Sequence, residues 1–234
     1  MIKTEIKEFV QELLDGVEIP DTLFDTFLNI AQMYWENRRP WVILRTEDTT
    51  QTIGSSNTFT TEKDLPADFR KWYTRQSIVL VDGQNNPQQY LLEIPINIKN
   101  SYKDDSTRFY ADYANKKFYV CGNVGQSLTA NLYYIKKSTL VSADDSNEWI
   151  MDSEFHPILG FSIAVYYKLG VDYDIINSNQ SDEHIATAKA IYESMSDWDA
   201  ELAESGLNGQ NYGTSDGRRF GGDGLSGSAF GFGN

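Results

Sequence analysis

Few residues in this sequence could carry out nucleophilic or acid–base chemistry. Its 234 residues include one cysteine, Cys121, and two histidines, His156 and His184. A single cysteine excludes an intrachain disulfide and a zinc site built from several thiolates. Cys121 ends a predicted strand, where a free cysteine usually packs as a small hydrophobe, so we do not expect a nucleophile. We expect His156 to cap or pack at a helix start, and His184 to be solvated in an acidic helix.

Paired carboxylates could serve glycoside hydrolysis or hold a hard cation. They occur at Asp104-Asp105 and at Asp144-Asp145, both in polar loop sequence without the spacing of a calcium-binding EF-hand loop. No glycine-rich phosphate motif stands between a predicted strand and a helix. We therefore expect no catalytic residue, no metal site and no cofactor.

Acidic residues are concentrated in one stretch of the chain. The formal net charge is −14, and residues 142–206 contribute −12 of it, with 14 acids against two bases. Sequence-independent binding to DNA or RNA requires phosphate-neutralising Lys and Arg, so an acidic surface of this kind would repel a polyanion. No run of about 18 apolar residues occurs, and the N-terminal residues are charged, which predicts a protein made in the cytoplasm without a membrane span.

The spacing of apolar residues predicts four helices, at 4–15, 21–38, 157–169 and 181–205. Gly16 is placed to end the first helix in a left-handed turn, and Asp21 and Ser181 are placed to cap the second and fourth. The third helix is apolar around nearly its whole circumference, which is typical of a central helix. The outer side of the fourth helix is predicted to carry Asp182, Glu183, Glu193, Asp197, Asp199, Glu201 and Glu204.

Residues 41–142 change to the alternating pattern of strands. The expected strands are 41–45, 50–53, 58–60, 76–81, 89–94, 109–113, 117–120 and 128–135. The last strand has apolar residues on both faces, so we expect it to be covered on both sides. The predicted fold class is α+β: a helical bundle built from the N- and C-terminal helices, an inserted antiparallel β-rich sandwich or barrel-like domain, and an extended Gly-rich C-terminal arm. The predicted domains are 1–40, 41–142, 143–206 and 207–234.

The C-terminal segment, residues 207–234, has an unusual composition. It holds nine of the 17 glycines, with Tyr212, Phe220, Phe230 and Phe232 interleaved among them. Such a segment cannot bury enough surface to offset its ordering entropy alone. Two interpretations stay open: an arm that orders on a partner, and a frayed tail.

The order of these features resembles one family. Residues 64–69 read DLPADF at the entry to the β region, residues 132–136 read LYYIK, and residues 156–159 read HPIL at the start of an apolar helix. A helix with Ala186, Ala188, Ala190 and Tyr192 follows. Over roughly residues 5–205 the chain resembles the head-to-tail adaptor (connector) proteins of tailed bacteriophages, departing from them in its Gly/Phe-rich tail and in a sizeable insert.

The resemblance implies a virion structural protein at the head–tail junction, without enzymatic activity. It implies a homo-oligomeric ring, usually a dodecamer, that docks beneath the portal protein, receives tail or nozzle proteins, and surrounds a channel for double-stranded DNA without binding it specifically. The candidate acidic lumen face is Asp182, Glu183, Glu193, Asp197, Glu201 and Glu204, although the same acids could serve solubility alone. The candidate contacts with portal or a neighbouring subunit are Tyr212, Arg218, Arg219, Phe220, Phe230 and Phe232.

A second hypothesis is a β-rich module on a helical scaffold that binds carbohydrate or another ligand. Exposed aromatic rings can bind sugars, but a core or a subunit interface uses the same residues more often. The rings in question are Trp41, Trp72, Tyr73, Tyr102, Tyr110 and Tyr113. A hydrolase that uses loop carboxylates such as Asp104 is a third hypothesis, and no motif supports it.

Overall fold

Four helices form close to where the apolar spacing predicts them. A computed structural model describes residues 1–170 and 178–205. The helices are α1 (Lys3–Leu13), α2 (Asp21–Asn37), α3 (Pro157–Gly170) and α4 (Ser178–Ser205). Gly16 has a φ of +87°, which confirms the left-handed turn after α1.

Two predicted N-caps are wrong. Pro20 is the N-cap of α2, while Asp21 is the first helical residue and forms an ion pair with Lys7 of α1. The second error is at Ser181, which lies inside α4 because that helix already begins at Ser178. A short acceptor side chain near a helix start marks the boundary only to within a few residues.

The central helix α3 contacts α1, α2 and α4. Its buried residues include Ile158, Leu159 and Ile163, in agreement with the predicted apolar circumference. At Gly160 the absence of a side chain allows α1 to approach closely, because a Cβ there would overlap the ring of Phe9. The helices and the loop before α3 share one apolar core.

Eight strands form a single, nearly closed, barrel-like sheet. They are β1 (Arg45–Ile53), β2 (Lys63–Asp64), β3 (Phe69–Trp72), β4 (Ile78–Val81), β5 (Pro87–Glu93), β6 (Arg108–Asp112), β7 (Lys117–Val120) and β8 (Leu128–Lys136). The strand order is β1-β8-β4-β5-β6-β7-β2, and β3 also pairs with β8. A second apolar core fills the sheet's interior.

The sheet corrects the strand predictions at several places. Val42–Leu44 forms a short 3₁₀ turn rather than a strand, and residues 58–60 form no strand. β2 and β3 were not predicted. The pairing is antiparallel except between β5 and β6, which run parallel where Leu92 faces Arg108 and Glu93 faces Phe109.

β8 is covered on both faces, as its alternation predicts. Leu132 and Tyr134 belong to the core inside the sheet, whereas Ile135 belongs to the core of the helices. The strand therefore joins the two cores.

Glu36 of α2 connects the helices to the sheet. Its buried carboxylate accepts hydrogen bonds from Gln32 Nε2 and Trp149 Nε1, each at 3.0 Å, and from the hydroxyl of Ser138. Arg70 of β3 donates from Nη1 to the other carboxylate oxygen at 3.3 Å. One anion thus has partners in α2, in β3 and in the segment between β8 and α3.

Candidate functional site

Cys121 is not a candidate nucleophile. It is fully buried beside Ile94 and Tyr110. Burial raises the pKa of its thiol to about 11, so the reactive thiolate is scarce at neutral pH. The prediction that this cysteine packs in the core is confirmed.

The two histidines lie in different surroundings from each other. His156 is buried, and its Nε2 lies 3.1 Å from the carbonyl oxygen of Trp149 and 2.9 Å from that of Met151. Two carbonyl oxygens can only accept, so Nε2 carries the proton that this ring donates; burial lowers the pKa of the ring, in agreement with a packing role. For His184 the predicted solvation is wrong: the ring is half-buried against Phe161, at 5.6 Å between centroids, and burial lowers its pKa.

The paired carboxylates close turns. Asp105 accepts hydrogen bonds from the backbone N–H of Thr107 at 2.9 Å and from its hydroxyl, and these bonds lower the pKa of the carboxyl. Asp144 accepts in the same way from Ser146, at 2.8 Å from the backbone N–H, with the same effect on its pKa. Within residues 1–170 and 178–205, no group of three or more His, Cys, Asp or Glu side chains is arranged to hold a metal ion.

One face of α4 carries a row of acidic side chains. All six acids of the candidate lumen face are exposed. At 3.6 residues per turn they fall within an arc of about 100°, and from Asp182 to Glu204 they extend along about 33 Å of helix. No ion pair or hydrogen bond connects these six side chains to another residue that the structure describes. We call these six residues the acidic face of α4.

Asp199 does not belong to this face. It is 1% exposed, and its carboxylate accepts from the backbone N–H of Val42 at 2.5 Å and pairs with Arg39 at 3.1 Å. Burial nevertheless raises the pKa of this carboxyl, because the desolvation cost exceeds the gain from both partners. Asp199 fixes α4 to the corner after α2, and its predicted place on the outer side is corrected.

The rings proposed for ligand binding are mostly unavailable to a ligand. Trp41, Trp72 and Tyr110 are buried in the cores, and Tyr73 and Tyr102 are half-buried. Tyr113 is 55% exposed, and its hydroxyl donates to Glu93 at 2.5 Å. One exposed ring does not form the platform that a sugar-binding surface needs.

Sequence reasoning missed a groove where three helices meet. Tyr34 and Trp35 of α2, Val165 and Tyr166 of α3, and Ile185 and Lys189 of α4 line a cavity of about 30 Å³. We call it the α2 groove. Beside it Phe27 contacts Tyr166 at 6.1 Å between ring centroids, and Ile30 is 47% exposed. The spacing of 27, 30 and 34 puts these three side chains on one side of α2, and this is the one signal in the sequence that could have indicated the groove.

The candidate contacts in the C-terminal segment are not positioned by the structure. Tyr212, Arg218, Arg219, Phe220, Phe230 and Phe232 lie outside the described residues. Among the helices that are described, none is both long and apolar enough to cross a membrane.

Comparison with known proteins identifies the family. A search of curated proteins gave no match. The model of the family described as SU10 adaptor protein matches residues 1–219, nearly the whole chain and more than the region of resemblance recognised from motifs. Such an adaptor is a structural component of a phage and interacts with other head or tail components. The chain, a mixed α+β protein with an unpaired acidic helix face, belongs to the SU10 adaptor protein family.

Proposed function

We propose that this chain is a head–tail adaptor that forms a ring, usually of twelve copies, between the portal protein and the tail of the virion. Its far side receives tail or nozzle proteins, and double-stranded DNA passes through its channel during ejection. Family membership supports the adaptor role. The observation that carries the channel assignment is the acidic face of α4.

The acidic face suits the wall of a channel for DNA. DNA carries one negative charge per about 1.7 Å of its axis, and Lys or Arg at a channel wall would bind it. Exposed carboxylates without cationic partners repel the duplex instead and leave it free to slide. A ring places one such face from every copy around the channel, so the wall is anionic at each position.

The remaining parts of the proposal concern how the ring is held together. The four helices act as one bundle that forms the body of each subunit, and the β-rich part projects from it. Residues 207–234 form an arm that contacts portal or a neighbouring subunit through its aromatic residues and Arg218 and Arg219. The composition of this segment supports the arm, because it places aromatic side chains in a stretch that cannot build its own core.

Neutralising the acidic face tests its role directly. In a variant with all six acids changed to Asn or Gln, we expect particles to assemble normally and DNA to be ejected at least about tenfold more slowly, because the channel wall no longer repels phosphates. The measurement is the rate of DNA release from purified particles. The free energy of unfolding should be unchanged, since the six side chains are exposed and form no hydrogen bond or ion pair with another described residue.

The control variant neutralises five exposed acids elsewhere on the chain. These are Glu8, Glu12, Asp104, Glu148 and Glu154. Its particles should release DNA at the wild-type rate. Equal rates of DNA release from wild-type particles, from the six-acid variant and from the control would show that the acidic face serves solubility and does not line the channel.

A further inference from the structure

The acidic face of α4 has a defined direction only if the rotation of this helix about its own axis is fixed. Each residue of an α-helix is turned by about 100° from the one before it, so a slip of one residue would move the acidic arc by its own width. The direction of the face therefore depends on the contacts that α4 makes on its opposite side.

The apolar side of α4 covers a broad arc of about 140°. Its apolar residues are Ile185, Ala188, Ile191, Tyr192, Met195, Trp198 and Leu202. Around Ile185 and Ala188 the packing is incomplete, because the α2 groove leaves a cavity of about 30 Å³ there. Hydrophobic contact is non-directional, and a core that is not tightly complementary admits more than one arrangement. The apolar contacts alone therefore define the rotation of α4 poorly.

Directional contacts of α4 converge on the corner after α2. Asp199 is 1% exposed, and its carboxylate accepts from the backbone N–H of Val42 at 2.5 Å. Arg39 pairs with this carboxylate at 3.1 Å and donates from Nη1 to the carbonyl oxygen of Ser196 at 3.2 Å. The Arg39 guanidinium also lies 5.3 Å from the centre of the Trp41 ring. Because a hydrogen bond weakens steeply away from its preferred angle, these contacts fix both the height and the rotation of the helix.

Asp199 lies on the side of α4 opposite the acidic face. It is turned by about 150° from the centre of that arc and stands within the apolar stripe. Burial raises the pKa of its carboxyl in spite of both partners, so placing a charge here costs more than the partners return. Replacing a buried ion pair by apolar side chains is often neutral or stabilising. Stability alone therefore does not explain a carboxylate at this position.

We propose that Asp199 is a positioning residue that sets the rotation of α4 and thereby directs its acidic face. The carboxylate ties one side of the helix to the backbone of Val42, so the six acids on the opposite side share one direction in every copy. The inference rests on the proposed function, because a channel wall that is anionic throughout needs the same orientation of α4 in each subunit.

Distances between two spin labels measure the rotation of α4 in the full-length chain. Ala190→Cys puts one label at an exposed position within the acidic arc, and Met33→Cys puts a reference label on α2, where the side chain is 54% exposed. The native Cys121 is 0% exposed and stays unlabelled. Adding Asp199→Leu should broaden the distance distribution at least about twofold, because the remaining apolar contacts have no preferred direction. Asp199→Asn should keep the wild-type width, since its carboxamide oxygen still accepts from Val42.

Met195→Ala is the matched control, because Met195 is also buried on α4 but forms no directional polar contact through its side chain. It should lower the midpoint of urea unfolding more than Asp199→Leu does, since it leaves a cavity in the core, and yet keep the wild-type width of the distance distribution. A distribution for Asp199→Leu as narrow as that of the wild type, or equal broadening by Met195→Ala, would overturn the proposal.

Phage particles separate this inference from the proposed function. Particles that carry Asp199→Leu without labels should release DNA more slowly than wild-type particles, as expected for the six-acid variant. Broadened distances in the free chain, combined with DNA release at the wild-type rate, would support Asp199 as the positioning residue and would overturn the acidic face as the wall of the channel.

Discussion

Replacing Glu36 with alanine should lower the free energy of unfolding by about 3–5 kcal/mol, the cost of breaking a buried ion pair by removing one partner. The change leaves Arg70, whose side chain is 14% exposed, without its anion, and it leaves the buried indole N–H of Trp149 without its acceptor. The hydroxyl of Ser138 and the amide of Gln32 lose the same acceptor. Because these groups lie on α2, on β3 and in the segment between β8 and α3, the loss should loosen α2 from the sheet. Urea unfolding followed by tryptophan fluorescence measures it.

Two further variants distinguish the effect of losing the Glu36 interactions from the effect of shortening any glutamate side chain. Glu36→Gln keeps the shape of the side chain and part of its hydrogen bonding but removes the charge. Its free energy of unfolding should therefore fall by less than that of Glu36→Ala. Glu8→Ala, on the exposed side of α1, should change the unfolding free energy by less than about 0.5 kcal/mol. A loss for Glu36→Ala below about 1 kcal/mol would mean that the carboxylate does not hold the two parts together.

Gly122→Ala should be destabilising by about 3 kcal/mol, the upper part of the range for overpacking a core. A Cβ at this position would lie 2.5 Å from the backbone nitrogen of Ser106 and 2.9 Å from the carbonyl carbon and oxygen of Asp104. These are backbone atoms, so no rotation of a side chain can relieve the overlap. The loop before β6 must move instead, and it also carries the turn that Asp105 closes. The midpoint of urea unfolding reports the change.

Gly83→Ala is the control for this substitution. A Cβ there meets nothing within 4 Å, and its φ is outside the left-handed range. Its unfolding midpoint should match the wild type or rise slightly, because alanine restricts the unfolded chain. Equal midpoints for Gly122→Ala and Gly83→Ala would contradict the close approach of the 104–106 backbone to Gly122.

The helices were predictable because each one buries a continuous stripe of apolar residues, and the spacing of such a stripe can be read from a short segment of the sequence. The structure of the region after α2 was not predictable in this way. Trp41 and Leu44, three residues apart, are both buried in the core of the helices. A 3₁₀ turn permits this spacing, but the sequence of residues 41–45 also fits a short strand. The parallel pairing of β5 with β6 depends on the path of residues 94–107, which pattern alone does not give.

The candidate site likewise has features that the sequence predicts and features that it does not. The exposure of the acidic face follows from helical periodicity, which the sequence contains. Asp199 shares that acidic composition but is buried, because Arg39 and the N–H of Val42 approach it from a distant part of the chain. The α2 groove is formed by three helices, so the spacing of 27, 30 and 34 could indicate only its α2 side.

Imaging of the head–tail junction in purified phage particles, by electron cryomicroscopy, tests the central claim most directly. The account predicts a closed ring of this chain between portal and tail, with the acidic face of α4 towards the DNA channel and density for residues 207–234 on portal or on a neighbouring subunit. A junction that lacks the chain, or a ring that directs this helix face away from the channel, would contradict it.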